Sequence, residues 1–457
     1  MRLIKIPIGG VFKLKRKITI ITLFLMFFLL LAIIQNSKQI EKMVENIRIL
    51  QYGNPIDAET GVINNDYFGI YSDFSNERKT TEGINKAIRY ANEHNIEYIK
   101  LAQGNYCIMA TKSENGKKGI ILCSNIEMDF NGSTIKAKEN NATNYSIVTI
   151  NGVDNVKLLN GVILGERNEH IYNENSTDEW GMGITIKSAQ NIQVSEMHIA
   201  DTTGDAIYIS MESGKSNSRD ISISNCNIYN CRRQGISVIS GENILINENE
   251  LHDINGTNPQ SAIDLESNEE YEKIDNVRIS NNRMYNFGNI YAIKVQKNIY
   301  NVNIDNNDIY SSIIVWDAKE KITIEDNTIN NGNVVIYNSL SFRKQGRYIE
   351  KAIVSNNTIS NGNINVNRVY NLKVNNNTLN DGNVTINSTN TILENNYVNC
   401  INNKMDYAYK IEPFTYKDIF YVYKNNNSCS NNIALNEIIE ENEILKITTD
   451  KNKISVE

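Results

Sequence analysis

The sequence predicts an all-β solenoid, a parallel β-helix with an N-terminal cap helix, preceded by one transmembrane helix. Three observations predict it. From about residue 120 the chain repeats short apolar stretches interrupted by asparagine: "ISNCNI" (223–228), "INENEL" (246–251), "ISNNRM" (279–284), "IDNNDI" (304–309), "VSNNTI" (354–359), "VNNNTL" (374–379). From "VSEMHI" (194–199) to "LENNYV" (393–398), the last apolar residues of successive stretches lie 19 to 33 residues apart, the size of one solenoid turn. Near the start, "ITIITLFLMFFLLLAII" (18–34) holds no charge.

That apolar run has the minimum length for a helix crossing a bilayer. "KLKRK" (13–17) precedes it, so the amino-terminal side is expected in the cytoplasm and the rest outside. No small-x-small cleavage site follows, so an uncleaved signal anchor is expected. Residues 1–17 then form a cytoplasmic basic segment and 18–34 the anchor. Residues 35–65 read as a polar stalk with a turn near "YGNP" (52–55). In "TTEGINKAIRYANEHNIEYIKLAQGNYCI" (80–108), Ile84, Ala87, Ile88 and Ala91 share one helical stripe. A cap helix over 81–94 and a first strand, "YIKLA", follow from it. The β-helix domain is expected over 66–400. Residues 401–457 lose the asparagine repeat and read as an irregular C-terminal cap region.

The net charge of -7 argues against nucleic acid as a partner, because phosphate binding wants a basic surface. The six cysteines form no CxxC pair, which leaves buried free thiols as the plain reading. Cys400 with Cys429 is the one pair to test for a disulfide.

Five strands share one frame: "GITIK" (183–187), "AIYIS" (206–210), "GISVI" (235–239), "AIDLE" (262–266) and "AIKVQ" (292–296). Ile184/Ile186, Ile207/Ile209, Ile236/Val238, Ile263/Leu265 and Ile293/Val295 point inward. The residues between them face outward. One outward column reads Thr185, Tyr208, Ser237, Asp264, Lys294; the next reads Lys187, Ser210, Ile239, Glu266, Gln296. Asp264 and Glu266 thus share a face, with Cα atoms about 6.6–7 Å apart. Two carboxylates so placed suit acid/base work on a water between them. Asp205 enters a strand two coils away, roughly 10 Å along the axis. Lys294, one coil beyond Asp264, and the arginines at 232 and 233 would hold a carboxylate ionised or grip a uronate. The insertion "GERNEHIYNENSTDEWGMGI" (165–184) brings Glu166, Arg167, His170, Glu179 and Trp180 beside this face. Long loops on a regular scaffold often carry function. The plain alternative is an outer strand face with solvated decoration.

The chain resembles the right-handed parallel β-helix proteins of the pectate-lyase-like superfamily. "GINKAIRYANEHNIEYIKLAQGNYCI" (83–108) is similar to their cap helix and first strand, and the resemblance covers roughly 64–400. It implies the right-handed fold and a polysaccharide partner. It leaves hydrolase, lyase, epimerase and noncatalytic glycan binder open. "GERNEH…EWGMGI…GDAIYIS…RRQGISV…GTNPQSAIDLE" is also similar to bacterial β-helix proteins thought to act on polysaccharides. That match carries over Glu166, Arg167, His170, Glu179, Trp180, Asp205, Arg233, Gln234, Asp264 and Glu266 as candidate site residues. Polygalacturonases present a second Asp after Gly-Asp, then a His, then an Arg-Ile-Lys. Here Ala206, Gln234 and Ala292 take those places, and only Lys294 of the last motif remains.

Two functions stay open. One is a membrane-anchored enzyme outside the cell, a glycoside hydrolase or polysaccharide lyase. Asp264, Glu266 and Asp205 would be catalytic there. Glu166, Arg167, His170, Glu179, Trp180, Arg233, Gln234 and Lys294 would bind substrate. The other is a noncatalytic glycan- or cell-wall-binding solenoid. No motif calls for a cofactor; calcium is the one the resemblance leaves open, and no acidic triplet beside a distinct basic arginine stands out for it.

Overall fold

The computed structural model describes residues 37–399, apart from 38, 112–118, 175, 340–348, 389–390 and 395, and beyond that only short backbone strands between 409 and 456. The expected transmembrane segment 18–34 lies outside the described residues. Among those described, no helix is long and apolar enough to cross a membrane.

Two sheets, of 23 and 13 strands, run the length of the solenoid, and their strands pair in parallel. Early coils supply one strand to the shorter sheet and one long strand to the longer one, as in Ile126–Ala137, Asp154–Leu164 and Gln190–Ala200. From Ile207 on, each coil supplies one strand to the shorter sheet and then two in succession to the longer one. The turn between those two is a left-handed residue: Asn225, Glu248, Asn281, Asn306, Asp326, Asn356 and Asn376 all have φ near +56°. Asparagine and aspartate tolerate that conformation because their short side chains bond locally. The next residue explains the rest of the asparagine content. Asn249, Asn282, Asn307, Asn327, Asn357, Asn377 and Asn396 are buried and stacked. Each amide Nδ2 donates to the next Oδ1 at 2.9–3.0 Å. Each Oδ1 also accepts the backbone N–H of the asparagine one coil back. A ladder of this kind gives the buried polar groups of the turn hydrogen-bond partners.

The interior is isoleucine and valine. Ile184, Ile207, Ile236, Ile263 and Ile293 pair in the expected register, and all are fully buried. The cap helix spans Glu77–Glu93, four residues longer at its start than the stripe suggested. Thr80 and Thr81 extend the buried face, and the Thr81 hydroxyl accepts the Met109 N–H at 2.9 Å. Gly83 is required where the helix crosses the preceding turn. A Cβ there would lie 2.6 Å from Ile70 Cγ1 and 2.8 Å from the Phe68 carbonyl.

The expected polar stalk is corrected. Residues 39–52 form a helix on the cap, and Ile56 and Ile63 already belong to the core. At the other end, backbone strands Tyr409–Ile411 and Phe420–Val422 continue the two sheets where an irregular cap was expected. Two antiparallel ladders follow over 438–445 and 447–456. Cys107, Cys226 and Cys231 are buried free thiols and Cys123 is half-buried. Burial pushes the Cys226 and Cys231 thiols up to about 12, far from the reactive thiolate. The Cys400–Cys429 pairing lies outside the described side chains.

Candidate functional site

The outward column stands as aligned: Tyr208 pairs with Ser237, Ser237 with Asp264, and Asp264 with Lys294. Its surroundings differ from those of an open strand face. All five residues of the column are buried, and Asp264 is 1% exposed. A small apolar cluster of Met182, Tyr208 and Ile239 sits on this outer face, apart from the solenoid core. Trp180 packs edge-on against Tyr208 with ring centroids 5.9 Å apart, and is itself 37% exposed.

The buried polar groups form one continuous network. Arg233 Nη1 donates to both oxygens of Asp205 at 3.1 and 2.9 Å. The Ser237 hydroxyl donates to Asp205 Oδ2 at 2.6 Å and touches Gln234 Oε1. Gln234 Nε2 donates to Asp264 Oδ2, as does Lys294 Nζ at 3.2 Å. Asp264 Oδ1 has no partner among the described residues. Glu179 Oε2 lies 3.7 Å from Arg233 Nε, and the Arg233 guanidinium lies 5.9 Å from the Trp180 ring.

Burial pushes the Asp264 carboxyl up to about 6, with the Glu266 charge adding to the rise and Lys294 and Arg233 opposing it. Burial also raises Asp205, against the pull of the Arg233 cation and the Ser237 hydroxyl. Burial disfavours the Arg233 cation, but the Asp205 carboxylate outweighs it and holds the guanidinium protonated. Glu266, half-buried two residues along the same strand, reaches the rim, where Lys297 Nζ lies 3.8 Å away.

The inserted loop divides the remaining candidates. Glu166 and His170 are turned inward beneath it. Glu166 Oε1 accepts from Asn140 at 2.8 Å, from the Tyr145 hydroxyl at 2.6 Å and from His170 Nδ1 at 2.7 Å. These contacts brace the loop and leave neither side chain on its outer surface, where a bound sugar would touch it. Arg167 ties the loop to two further coils, donating to Asn230 and to Asn255 Oδ1 at 2.9 Å. Arg232 holds its far end through the Thr177 carbonyl at 2.7 Å and lies over the Tyr172 ring at 4.4 Å. Glu179 and Trp180, at the end of the loop, are the two residues it delivers to the network.

Sequence reasoning missed two aromatic residues. In the Glu266 column, Gln296 pairs with Trp316 and Trp316 with Tyr337. Their rings stack at 6.2 Å, and Lys294 Nζ lies 5.5 Å from the Trp316 ring. The signal was there: Trp316 is one of only two tryptophans, and "SIIVW" (312–316) extends the frame by one strand. The described residues hold no group of three or more His, Cys, Asp or Glu placed to hold a metal ion. The donor set also does not suit calcium, since Lys294 faces Asp264 and Arg233 faces Asp205.

Residues 213–345 match the family described as "Right handed beta helix region". Uncharacterized protein YclG of Bacillus subtilis (strain 168) is 31% identical over 260 residues, covering 52% of this chain and 44% of that protein. The match therefore reaches less than half the relative's length. Among solved structures, the catalytic unit of a GH87 alpha-1,3-glucanase from Streptomyces thermodiastaticus shares 14% identity, with a TM-score of 0.57 over 83% of this chain and 70% of that one. PfbA, a surface adhesin of Streptococcus pneumoniae, shares 13% with a TM-score of 0.51 over 86% and 97%. At such identities the likeness shows the fold alone. By its fold, the chain is a right-handed parallel β-helix protein.

Proposed function

We propose that the chain acts on an acidic polysaccharide at the outer face of the cell membrane, as a hydrolase or lyase with Asp264 as its acid. One observation carries this reading: a buried carboxyl held at about 6, with one oxygen unpartnered, beside a second carboxylate. Asp264 Oδ2 faces two donors, so the proton belongs on Oδ1. From there it would pass to the leaving glycosidic oxygen. Glu266 would take the proton of the attacking water, or of the sugar carbon in an elimination. Asp205 keeps Arg233 in place, and the guanidinium would lend positive charge toward a uronate at the Glu179 side, where its Nε lies 3.7 Å from Glu179 Oε2. Trp180 at one end and Trp316 with Tyr337 at the other would stack on sugar rings. A glucanase among the solved structures shares this fold, so the fold is compatible with an enzyme acting on polysaccharide.

The depth of Asp264 favours a second reading, a noncatalytic glycan-binding solenoid. Side chains above Oδ1 must move before a sugar reaches it, whereas Trp180, Glu266 and Trp316 are at hand without any movement. A surface adhesin also shares this fold, so the fold is compatible with that reading too. A panel of polysaccharides incubated with the full chain separates them. New reducing ends mean hydrolysis, and absorbance of unsaturated uronate means elimination. No product, together with binding that falls on Trp180→Ala and Arg233→Ala, means glycan binding. The anchor at 18–34 is part of the proposal: protease added to intact cells should remove the solenoid, and a protected solenoid would reject the orientation.

A further inference from the structure

The helix over 39–52 has two unlike faces. Glu45, Arg48 and Ile49 lie against the cap. Arg48 Nη2 donates to the Tyr67 carbonyl at 2.5 Å, Glu45 lies 3.8 Å from His94, and Ile49 packs on the core. At about 100° per residue, Ile40, Met43, Ile47 and Leu50 fall on the opposite side. They are 60%, 62%, 52% and 88% exposed, and no described residue covers them.

We propose that this face is the seam of a parallel two-stranded coiled coil between two copies of the chain. The spacing of the four residues is three, four, three, the strict alternation of a coiled-coil seam rather than the wider stripe of a helix packed on a globular core. Ile40 and Ile47 occupy the first core position, and Met43 and Leu50 the second. Branched isoleucine in the first and leucine in the second favours two strands. Gln39, Val44, Asn46 and Gln51 flank the seam without charge, so nothing repels an identical helix. The parallel direction follows from the chain upstream. The apolar run 18–34 ends three residues before Ser37, so two chains held by it in one membrane would enter the seam the same way round. Two heptads are short for free helices, and shared tethering supplies the effective concentration they need. A lipid surface fits less well. Helices lying on membranes carry a Lys/Arg-rich polar face. Here the charges are Glu41, Lys42, Glu45 and Arg48, two of each sign, and Glu45 and Arg48 already serve the cap.

The inference rests on the anchor at 18–34 and not on the glycan reading. It is tested on the full chain in cell membranes by oxidative cross-linking of Leu50→Cys, with Lys42→Cys and the unaltered chain as controls. A cross-linked pair is expected at position 50 and not in either control. The full chain in detergent should also have the mass of a dimer, halved by Ile47→Glu with Leu50→Glu. Both positions are exposed, so an unchanged thermal transition of the monomer will confirm that the solenoid still folds. Equal cross-linking at 42 and 50, or a trimer mass, overturns the proposal. So does a monomer whose Leu50→Cys thiol is shielded from a water-soluble maleimide only by anionic phospholipid vesicles, which would assign the face to lipid.

Discussion

The coils from Trp180 to Trp316 and those from Lys321 to Asn387 share one interior and differ on the outer face of the shorter sheet. Both fill the inside with isoleucine and valine, and both stack the buried asparagine ladder. Along the column of Asp264 the earlier coils present Tyr208, Ser237, Asp264 and Lys294. The later ones present Val335, Asn365 and Thr385 at the same register. The backbone is indifferent to this exchange, since outward residues do not touch the interior. Chemistry can therefore be placed on one stretch of the solenoid while the rest remains scaffold.

The largest expected effect breaks the comparison at that column. Asp264→Asn should lower turnover by about 10²–10⁴-fold, while Asn365→Ala on the same column leaves it unchanged; initial rates on the polysaccharide turned over check both. Next comes the pH dependence of stability. The Asp264 carboxyl is raised from 3.8 to about 6 by burial, so the folded state keeps its proton longer than the unfolded chain. Its contribution is fully present below about pH 4 and is lost as pH rises through about 6. Relative to Asp264→Asn, the unaltered chain should lose about 3 kcal/mol over that window. Denaturant unfolding at pH 4, 5, 6 and 7 measures the difference. Asn307→Ala and Asn357→Ala probe what the two regions share. Each orphans the partners above and below and should cost about 1–3 kcal/mol in the same assay, similarly in both. The smallest effect sharpens the boundary of the site: Trp316→Ala should raise KM about threefold to tenfold with kcat unchanged, the worth of one aromatic stacking contact.

The interior was legible because its rules are local. Alternating apolar residues name the inward face, and asparagine at a left-handed turn needs only its neighbours. The register of Ile236 against Ile263 could be written down from the sequence for that reason. The burial of Asp264 could not. The contacts of this carboxyl come from the neighbouring coils, where Gln234 and Lys294 meet Oδ2. The inward turn of Glu166 and His170 likewise depends on Tyr145 and Asn140, more than 20 residues away in the chain. Trp316 and Tyr337 were missed because the frame was followed only to residue 296. The helix over 39–52 was hidden by its polar flanks, although its two heptads are plain once the docked face is known.

The pH–rate profile of the full chain tests the account most directly, with Asp264→Asn and Lys294→Met beside it. An acid that must carry its proton loses activity as it ionises. The unaltered chain should therefore show kcat falling above about pH 6, the value to which burial raises Asp264. Lys294→Met removes a charge that favours the ionised form, so its falling limb should move to higher pH. Asp264→Asn should lack the limb and run about 10²–10⁴-fold lower. Three superimposed profiles, with the Asp264→Asn chain as active as the unaltered one, would contradict the account and leave the network as scaffold.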